Sequence, residues 1–269
     1  MKSKKMKDIT NEDHKDNSNL YGIIIVARLS SSRLPQKNIM PLVGKPMIEH
    51  LIDRVGQSKK SPKIIIATSD EKSDDQLEEL ANKKGILCYR GSLNNVMQRI
   101  VSAAQKFNVK NIIEILGDNP LVHGNLIDDV IDVFERERCD YAATATKEYD
   151  QIPKSVAKFS VGVRVQIYPT RIGEKFHNFP EYINNEEKHP CSFIFDNSDK
   201  FSVHFLEADN KWKFLNKPDL NFAVNYPKNF KFVKNIFEAL YTQNPYFSIS
   251  DMFRYLETNQ ELYELLGPE

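Results

Sequence analysis

The chain has 269 residues, 41% of them hydrophobic and 28% charged, which is enough apolar material for an ordinary globular core. Lysine plus arginine equals aspartate plus glutamate, at 37 each. This balance excludes the strong basic field that draws a protein to nucleic acid or to an anionic membrane. Any recognition of phosphate must therefore come from a local group of residues.

The N-terminal residues 1–20 are polar and rich in lysine, and they lack the apolar stretch of a secretory signal. We expect a disordered polar leader there, followed by a single α/β domain over residues 21–269. The longest apolar run, 22–27, is far shorter than the roughly 20 residues that cross a bilayer. We therefore expect a cytoplasmic protein with no membrane insertion.

The three cysteines, Cys88, Cys139 and Cys191, are widely separated and odd in number. This spacing argues against a disulfide framework and against a Cys-x-x-Cys metal site. We expect reduced thiols in the core.

From residue 21 onward, apolar strand-like runs alternate with segments of helical period, which indicates a parallel sheet with crossover helices. In chain order we predict strands at 23–27, 64–68 and 111–116, and helices from Pro46 and over 75–84, 96–107 and 126–138. The second half predicts strands at 161–168, 203–207 and 221–224, and a helix that starts at Pro227. The fold class is therefore α/β, with a Rossmann-like, doubly wound and mostly parallel sheet.

Residues 27–37 follow the first predicted strand, and in open α/β sheets ligands bind beyond the carboxyl ends of the strands. This loop carries three cations, Arg28, Arg33 and Lys37, together with three serines. Backbone N–H groups, hydroxyl groups and positive charges suit the oxygens of a polyphosphate. A solvated basic loop without a ligand is the alternative interpretation, and the loop alone does not decide between the two.

Two later segments complete this edge of the predicted sheet. Gly44 permits a tight turn, and Pro46 begins a helix that packs the loop against the sheet. The third strand ends at Gly117 and Asp118, which puts a carboxylate at the same edge. Magnesium is typically held by one or two carboxylates plus substrate phosphates, so Asp118 is a candidate ligand, although a simple turn is the alternative.

Five motifs together carry a family resemblance. They are Ala-Arg-x-x-Ser-x-Arg-Leu-Pro-x-Lys (27–37), Leu-x-Gly-Lys-Pro-Met (42–47), Ala-Thr-Ser-Asp (67–70), Arg-Gly-Ser (90–92) and Gly-Asp-Asn-Pro (117–120). In this order they resemble the cytidylyltransferases that make CMP-activated acidic sugars. The nearest match is the SpsF-like branch of spore-coat polysaccharide proteins, related to the CMP-Kdo and CMP-sialate synthetases. The resemblance is dense over residues 22–122 and thins afterwards.

The resemblance implies the fold of nucleotide-diphospho-sugar transferases and the transfer of CMP from CTP to an acidic sugar, for a surface polysaccharide or glycan. In such a reaction a sugar hydroxyl attacks the α-phosphorus of CTP and pyrophosphate leaves. Mg²⁺ and cationic side chains stabilise the additional negative charge. The resemblance also implies a homodimer joined through the second half of the chain, which would carry the acceptor elements.

The resemblance further implies roles for individual positions. Arg33, Lys37 and Asp118 would be catalytic, and Asp118 would bind the metal. The residues that would contact the nucleotide are Ala27, Arg28, Ser32, Arg33 and Lys37 from the loop, and Ala67, Thr68, Arg90, Ser92 and Asn94 around the cytosine and ribose.

The sequence departs from the family pattern at two places. Asn225 stands where the family has a second metal-binding aspartate, so we expect a weaker metal site that depends on the phosphates of CTP. Arg164 and Gln166 stand where SpsF-like proteins tend to have acids. We expect Arg164 to hold an anionic group of the acceptor, because a guanidinium can clamp a carboxylate; a surface ion pair is the alternative.

Two other residues are less specific candidates. His189 falls where relatives have residues that face the acceptor, although a lone histidine is more often structural. Trp212 could stack on a sugar, but filling the core is the expected role.

Two alternatives to a sugar-acid cytidylyltransferase follow from these observations. A nucleotide-binding homologue with weak or no turnover would fit the change at Asn225. A nucleotide-sugar glycosyltransferase would normally have an Asp-x-Asp pair at a strand end, whereas Asp118 is followed by Asn119 and Pro120.

Overall fold

A computed structural model describes residues 20–60, 63–149, 152–176, 192–197 and 199–266. The strands are β1 (Tyr21–Val26), β2 (Pro41–Leu42), β3 (Lys45–Pro46), β4 (Lys63–Ser69), β5 (Leu87–Gly91), β6 (Asn111–Leu116), β7 (Tyr141–Thr144), β8 (Gln166–Pro169) and β9 (Val203–Leu206). Seven of them form one sheet in the order β5-β4-β1-β6-β8-β7-β9, and β2 and β3 form a separate hairpin. Strands from both halves of the sequence therefore share one sheet.

The helices connect these strands. They are α1 (Met47–Val55), α2 (Asp75–Lys84), α3 (Val96–Lys106), α4 (Gly124–Glu137), α5 (Thr170–Phe176), α6 (Ser192–Asp196), α7 (Pro227–Leu240) and α8 (Ile249–Glu257). Short 3-10 helices lie at Lys37–Ile39, Lys72–Asp74, Asn210–Leu215 and Gln260–Leu266. Among the described residues, no helix has both the length and the apolar composition needed to cross a membrane.

The central strands are covered on both faces, which explains their continuous isoleucine runs. In β1, Ile23 and Ile25 belong to one buried cluster, whereas Ile24 belongs to the other. The first cluster includes apolar residues of α1, α4 and α7, and the second includes those of α3. This alternation follows from the two-residue period of a strand, and it produces the doubly wound arrangement.

The sheet is mixed, because β8 runs antiparallel to both of its neighbours, β6 and β7. The other pairs within the described sheet are parallel. The predicted α/β class with a mostly parallel sheet is thus confirmed.

The element predictions are confirmed in the first half of the chain. The three isoleucine-rich strands correspond to β1, β4 and β6, and the helix predicted at 75–84 is α2. Gly85 ends α2 in the left-handed conformation, with φ of 67°. The tight turn at Gly44 is also present, with φ of 41° at Val43 and 82° at Gly44. The short strands β5 and β7 lack a continuous apolar run and were not predicted.

In the second half, the strand predicted over 161–168 is too long, and the strand predicted over 221–224 is wrong. The strand expected over 161–168 begins only at Gln166, and 221–224 contributes one isolated bridge between Val161 and Asn221. Gly162 explains the difference, because its φ is 88° and a Cβ there would lie 2.2 Å from the backbone nitrogen of Ala223. The two segments therefore cross closely at a bend and do not extend as strands.

The cysteine thiols that the structure describes are free, with Cys139 buried and Cys88 half-buried. Burial raises the pKa of both thiols to about 11, which keeps them protonated and unreactive at neutral pH. Cys191 lies outside the described residues.

The parallel strands β1, β4, β5 and β6 all end at the same edge of the sheet. The segments that leave this edge are 27–37, 70–74, 92–95 and 117–120. Because β8 is antiparallel, its first residue, Gln166, lies at this edge too, opposite Glu114. The fold therefore brings most of the candidate residues to one side of the sheet.

Candidate functional site

The 27–37 loop is closed by backbone contacts at its base. The N–H of Ala27 donates to the carbonyl of Ala67 at 3.2 Å, and the N–H of Gln36 donates to the carbonyl of Leu29 at 2.9 Å. The side-chain amide of Asn38 donates to the carbonyl of Arg28 at 3.0 Å. These contacts fix the two ends of the loop side by side.

The cations of this loop have different environments. Arg28, Ser32 and Arg33 are exposed, whereas Lys37 is only 7% exposed. Two guanidinium groups therefore face solvent at the rim of the loop, and one ammonium group lies at its floor.

Lys37 joins three distant parts of the chain. Its Nζ donates to Oδ2 of Asp118 at 2.6 Å and to Oδ1 of Asn225 at 3.2 Å. The backbone N–H of Val224 donates to the carbonyl of Asp118 at 2.8 Å, which holds the two turns together. The structure therefore brings together Lys37, Asp118 and Asn225, which are three of the four residues that the family resemblance implied for catalysis and metal binding.

Gly117 allows this close assembly. A Cβ on Gly117 would lie 2.9 Å from Cβ of Ala27 and 3.0 Å from Oδ1 of Asn38. The glycine therefore lets the 27–37 loop pack against the end of β6. This is a second role beside the close approach of a ligand that the sequence predicts there.

The turn after Asn225 also contacts the rim of the loop. The guanidinium carbon of Arg33 lies 5.7 Å from the centre of the Tyr226 ring, within the range of a cation–π contact. The neighbouring residues Asn225 and Tyr226 thus contact Lys37 and Arg33, so the second half of the chain positions both cations.

Asp74 is a positioning residue that the sequence reasoning missed. It is fully buried, and its Oδ1 accepts the backbone N–H of Leu29 at 2.8 Å. Its Oδ2 accepts the hydroxyl of Thr68 at 2.9 Å and the backbone N–H of Ser69 at 3.1 Å, and it also contacts the hydroxyl of Ser69. One carboxylate therefore ties the start of the 27–37 loop to the end of β4. In the sequence, Asp74 and Asp75 have the appearance of ordinary acids at a helix start.

The residues expected around the cytosine and ribose lie at the same edge of the sheet, and several of their side chains form hydrogen bonds or ion pairs with other residues of the protein. Arg90 forms ion pairs with Asp75 at 2.6 Å and Glu78 at 3.0 Å. Its guanidinium also donates to the carbonyls of Ser69 and Glu71.

The other members of this set differ in how accessible they are. Ala67 and Thr68 are buried at the end of β4. The hydroxyl of Ser92 accepts the N–H of Asn95 at 3.0 Å, and Asn94 is exposed. The Arg90 and Ser92 side chains therefore hold the turns in place, while Asn94 is open to solvent.

Arg164 is buried, so it is not part of a surface ion pair. Its side chain is 6% exposed, and its Nη1 lies 3.3 Å from Oε1 of Glu148. Burial alone would lower the pKa of Arg164, but Tyr149, Glu148 and Glu114 outweigh it and raise this pKa. Arg164 is thus a permanent cation inside a polar cluster.

Glu114 and Gln166 complete this cluster. The hydroxyl of Tyr168 donates to Oε2 of Glu114 at 2.8 Å, and burial raises the pKa of Glu114 despite the nearby Arg164. Oε1 of Gln166 accepts the hydroxyls of Tyr141 at 2.7 Å and Tyr149 at 3.0 Å.

Two remaining candidates can be placed. Trp212 is 9% exposed, packs against Phe159 and Phe214, and donates its indole N–H to Oδ2 of Asp129 at 2.6 Å, so it fills the core. His189 lies outside the described residues.

A divalent cation has limited support from protein groups alone. No cluster of three or more histidine, cysteine or acidic residues suited to a metal occurs among the described residues. Asp118 and Asn225 nevertheless direct one oxygen each toward the same point, which Nζ of Lys37 occupies. Oδ1 of Asp118 is buried and has no hydrogen-bond partner among the residues that the structure describes. One carboxylate and one amide oxygen fit a magnesium ion that is also held by substrate phosphates.

Comparison with known proteins places this geometry in a family. Residues 22–167 match the model of the cytidylyltransferase family. An uncharacterised protein of Methanocaldococcus jannaschii is 30% identical over 209 residues, which are 77% of this chain and 79% of that protein. The spore coat polysaccharide biosynthesis protein SpsF of Bacillus subtilis is 27% identical over 242 residues, covering 88% of this chain and 94% of SpsF.

A relative with a defined reaction matches a shorter region. The 8-amino-3,8-dideoxy-manno-octulosonate cytidylyltransferase of Shewanella sp. (strain ANA-3) is 32% identical over 136 residues, covering 49% of this chain and 54% of that enzyme.

Solved structures share the fold. A cytidylyltransferase from Leptospira borgpetersenii serovar Hardjo-bovis superposes with a TM-score of 0.78 at 23% identity, covering 93% of this chain and 98% of that one. The CMP:2-keto-3-deoxy-manno-octonic acid synthetase complexed with CTP gives a TM-score of 0.56 at 17% identity, covering 82% of this chain and 99% of the synthetase. The family match spans more than half of the chain and includes the 27–37 loop and Asp118, and the chain therefore belongs to the cytidylyltransferase family.

Proposed function

We propose that this protein transfers CMP from CTP to a sugar acid and releases pyrophosphate, with Mg²⁺ as the metal. The observation that carries the proposal is the meeting of Lys37 with Asp118 and Asn225 below a rim of two exposed arginines. The names of the Shewanella cytidylyltransferase and of the CTP-bound synthetase support an eight-carbon sugar acid or a similar acceptor.

Binding of the triphosphate would use the different depths of the loop cations. Arg28 and Arg33 are solvated at the rim, so they can meet an incoming polyanion without first leaving a buried ion pair. Guanidinium groups bind phosphate oxygens through paired, charge-assisted hydrogen bonds. We therefore assign the first contacts with CTP to these two arginines.

Lys37 would act on the pyrophosphate that leaves. When the acceptor hydroxyl attacks the α-phosphorus, the bond from that phosphorus to the bridging oxygen breaks, and negative charge collects on the leaving group. An ammonium group fixed at the floor of the loop can stabilise this charge more in the transition state than in the bound substrate. Asp118 and Asn225 hold Lys37 in position until the phosphates arrive.

Asp118 and Asn225 are also the residues that would hold the metal, together with phosphate oxygens. A bound magnesium ion would withdraw charge from the phosphates and help to orient them. Because Asn225 brings no negative charge, the residues that the structure describes offer a single carboxylate at this point, and the nucleotide would supply most of the remaining ligands.

The acceptor would bind near Arg164, on the side of the edge built by β6 and β8. Arg164 is a buried cation next to an exposed acid, Glu148, which an acceptor carboxylate could replace as its partner. The buried Glu114 also acts electrostatically on Arg164, and it is a second acid that the acceptor would not need to displace.

A nucleotide-binding homologue with little turnover is the second candidate function. Asn225 favours it, since a neutral amide stands at position 225, where the family has a second metal-binding aspartate. In that case CTP would bind, but no acceptor would be converted.

The two candidates separate in one experiment. The purified protein is incubated with CTP, Mg²⁺ and a panel of 3-deoxy-ulosonic acids and other sugars, and the release of pyrophosphate is measured. A sugar-acid cytidylyltransferase gives pyrophosphate with at least one acid and none with neutral sugars. Binding of CTP by calorimetry without pyrophosphate from any acceptor would support the binding homologue instead, and no affinity for CTP would contradict both.

A further inference from the structure

We infer that Asn229, a buried asparagine in the first turn of α7, positions the loop cations Arg33 and Lys37 by fixing the turn that contacts them. This inference rests on the proposed function, because it names a further residue for the same CTP site. Neither the sequence motifs nor the comparisons assign a role to Asn229. It acts through other side chains, so it is a positioning residue and not a catalytic one.

The side chain of Asn229 anchors the turn that leads into α7. The residue is only 4% exposed, and its Oδ1 accepts the backbone N–H of Tyr226 at 3.0 Å and that of Asn225 at 3.3 Å. The N–H of Asn225 also donates to the carbonyl of Ala223 at 3.0 Å, so the bond to Tyr226 is the stronger link. A side-chain oxygen that accepts the N–H before a helix fixes the path by which the chain enters that helix.

The anchored turn contacts the 27–37 loop at two points. Oδ1 of Asn225 accepts Nζ of Lys37 at 3.2 Å. The ring of Tyr226 lies 5.7 Å from the guanidinium carbon of Arg33. Each of the two residues whose backbone Asn229 holds therefore contacts a different cation of the loop.

The two cations depend on this turn in different ways. Arg33 is exposed, and ordering a long exposed side chain on a ligand costs conformational entropy. The ring of Tyr226 restricts Arg33 before CTP arrives, which reduces that cost. Lys37 is buried, so its partners set its direction, and Asn225 is one of the two partners of its Nζ that the structure describes.

The first turn of α8 has the same kind of anchor without a link to the loop cations. Oδ2 of Asp251 accepts the backbone N–H of Ser248 at 2.8 Å, as Oδ1 of Asn229 accepts that of Tyr226. The hydrogen bonds that the structure describes for the Ser248 side chain stay within this turn, with Ser250 and Asp251. The two anchors therefore differ in what the anchored residue contacts, and Asp251 is a matched control.

The experiment measures the unfolding temperature and the affinity for CTP, by calorimetry, of the wild type, Asn229→Ala and Asp251→Ala. Both variants lose the anchor of a helix start, so both should unfold at a lower temperature. We expect Asn229→Ala also to weaken CTP about tenfold, because Arg33 and Lys37 are no longer held, whereas Asp251→Ala should leave the affinity unchanged. Asn229→Asp keeps an oxygen acceptor for both N–H groups, and it should bind CTP within about threefold of the wild type.

The outcomes separate this inference from the proposed function. If Asn229→Ala and Asp251→Ala change the affinity for CTP equally, or neither changes it, Asn229 only stabilises α7 and the inference is wrong. If the wild type does not bind CTP, the proposed function fails, and the inference fails with it. Should Asn229→Ala not fold, Asn229→Ser shortens the acceptor and should weaken CTP about threefold, whereas an unchanged affinity contradicts the inference.

Discussion

Two clusters at the carboxyl edge of the sheet each bring a cation together with an acid, and they are built differently. The Lys37 cluster is built from loop ends and lies below two exposed arginines, and within the described part of the chain one carboxylate oxygen of Asp118 has no hydrogen-bond partner. In the Arg164 cluster, most of the side chains lie on strands of the sheet, and Arg164 is surrounded by acids and tyrosine hydroxyls. The Lys37 cluster therefore has charged groups available to a ligand, whereas the charge of Arg164 is largely neutralised by residues of its own cluster.

This difference separates two tasks at one edge. A triphosphate varies little between members of a family, so an open set of cations can meet it. A sugar acid must be distinguished from other sugars, and a buried cation that already has partners accepts only a group that replaces one of them well. The predictions below test whether the two clusters have these separate tasks.

The largest effect is expected from Lys37→Met. The side chain keeps its approximate volume and loses the charge that would stabilise the leaving pyrophosphate, so kcat/KM should fall roughly a hundredfold to a thousandfold. The rate of pyrophosphate release over a range of CTP concentrations gives kcat/KM. The exposed Lys72, mutated to Met, is the control and should change turnover little; a normal rate for Lys37→Met would remove the Lys37 cluster from catalysis.

Asp74→Asn should have the second-largest effect. The amide presents a donor to Thr68 and Ser69, which are themselves donors, so the free energy of unfolding should fall by about 2 kcal/mol and CTP should bind more weakly. Urea unfolding and calorimetry measure the two effects. Ser69→Ala removes a single donor and should have a smaller effect, and equal effects would show that Asp74 does not organise the loop.

Stability should also depend on pH through a residue outside both clusters. Burial, with repulsion by Arg54, lowers the pKa of His123 to about 4. As the pH falls below about 6.5, the unfolded chain therefore binds a proton at this residue, whereas the folded protein does not until near pH 4. Stability should therefore fall by about 2 kcal/mol between pH 7.5 and pH 5 on account of this group. Urea unfolding at both pH values measures the loss.

His123→Asn is the variant that isolates this effect. Nδ1 of His123 accepts the N–H of Asn125 at the start of α4, and asparagine is a favourable residue at the same N-cap position. The variant should keep its stability at pH 7.5 and lose part of the pH dependence. Burial also lowers the pKa of His50 to about 4, so that residue should supply the remaining slope. An unchanged slope in the variant would mean that His123 is protonated in the folded protein.

Arg164→Ala tests the acceptor side of the comparison. The KM of the acceptor should rise about tenfold while the KM of CTP stays the same, because a charge-assisted contact to the acceptor is lost. Arg164→Lys should recover part of the affinity. An unchanged acceptor KM would mean that Arg164 serves only the internal cluster.

The smallest effect is expected from Asn225→Asp. A second carboxylate should strengthen the metal site, so that half-maximal turnover needs severalfold less Mg²⁺. A titration of Mg²⁺ at fixed CTP measures this. A higher requirement for Mg²⁺ in the variant would indicate that the added acid holds Lys37 more firmly than it holds the metal.

The sequence predicts much of the fold because the first half has strong local signals. Continuous isoleucine runs mark β1, β4 and β6, and Gly85 marks the end of α2. The rule that parallel strands end at one edge was enough to expect Lys37 near Asp118. The position of Asn225 followed only from the family resemblance, because its segment forms no strand.

The remaining site residues depend on contacts that local patterns do not contain. Asp74 has the appearance of an ordinary acid in the sequence, and its contact with Leu29, 45 residues earlier in the chain, becomes known only when the order of the strands is known. The length of β8 was overestimated, since the left-handed Gly162 interrupts an otherwise apolar run. These features depend on packing between distant segments, which local sequence patterns do not predict.

The position of the Lys37 ammonium group affects the order in which Mg²⁺ and the nucleotide would bind. Free Mg²⁺ would have to displace this positive charge from Asp118, and the other described residue at this point, Asn225, is neutral. A nucleotide offers Lys37 new anionic partners and carries oxygen ligands of its own. We therefore expect the metal to enter with CTP as one complex, so that the protein takes up little Mg²⁺ when the nucleotide is scarce.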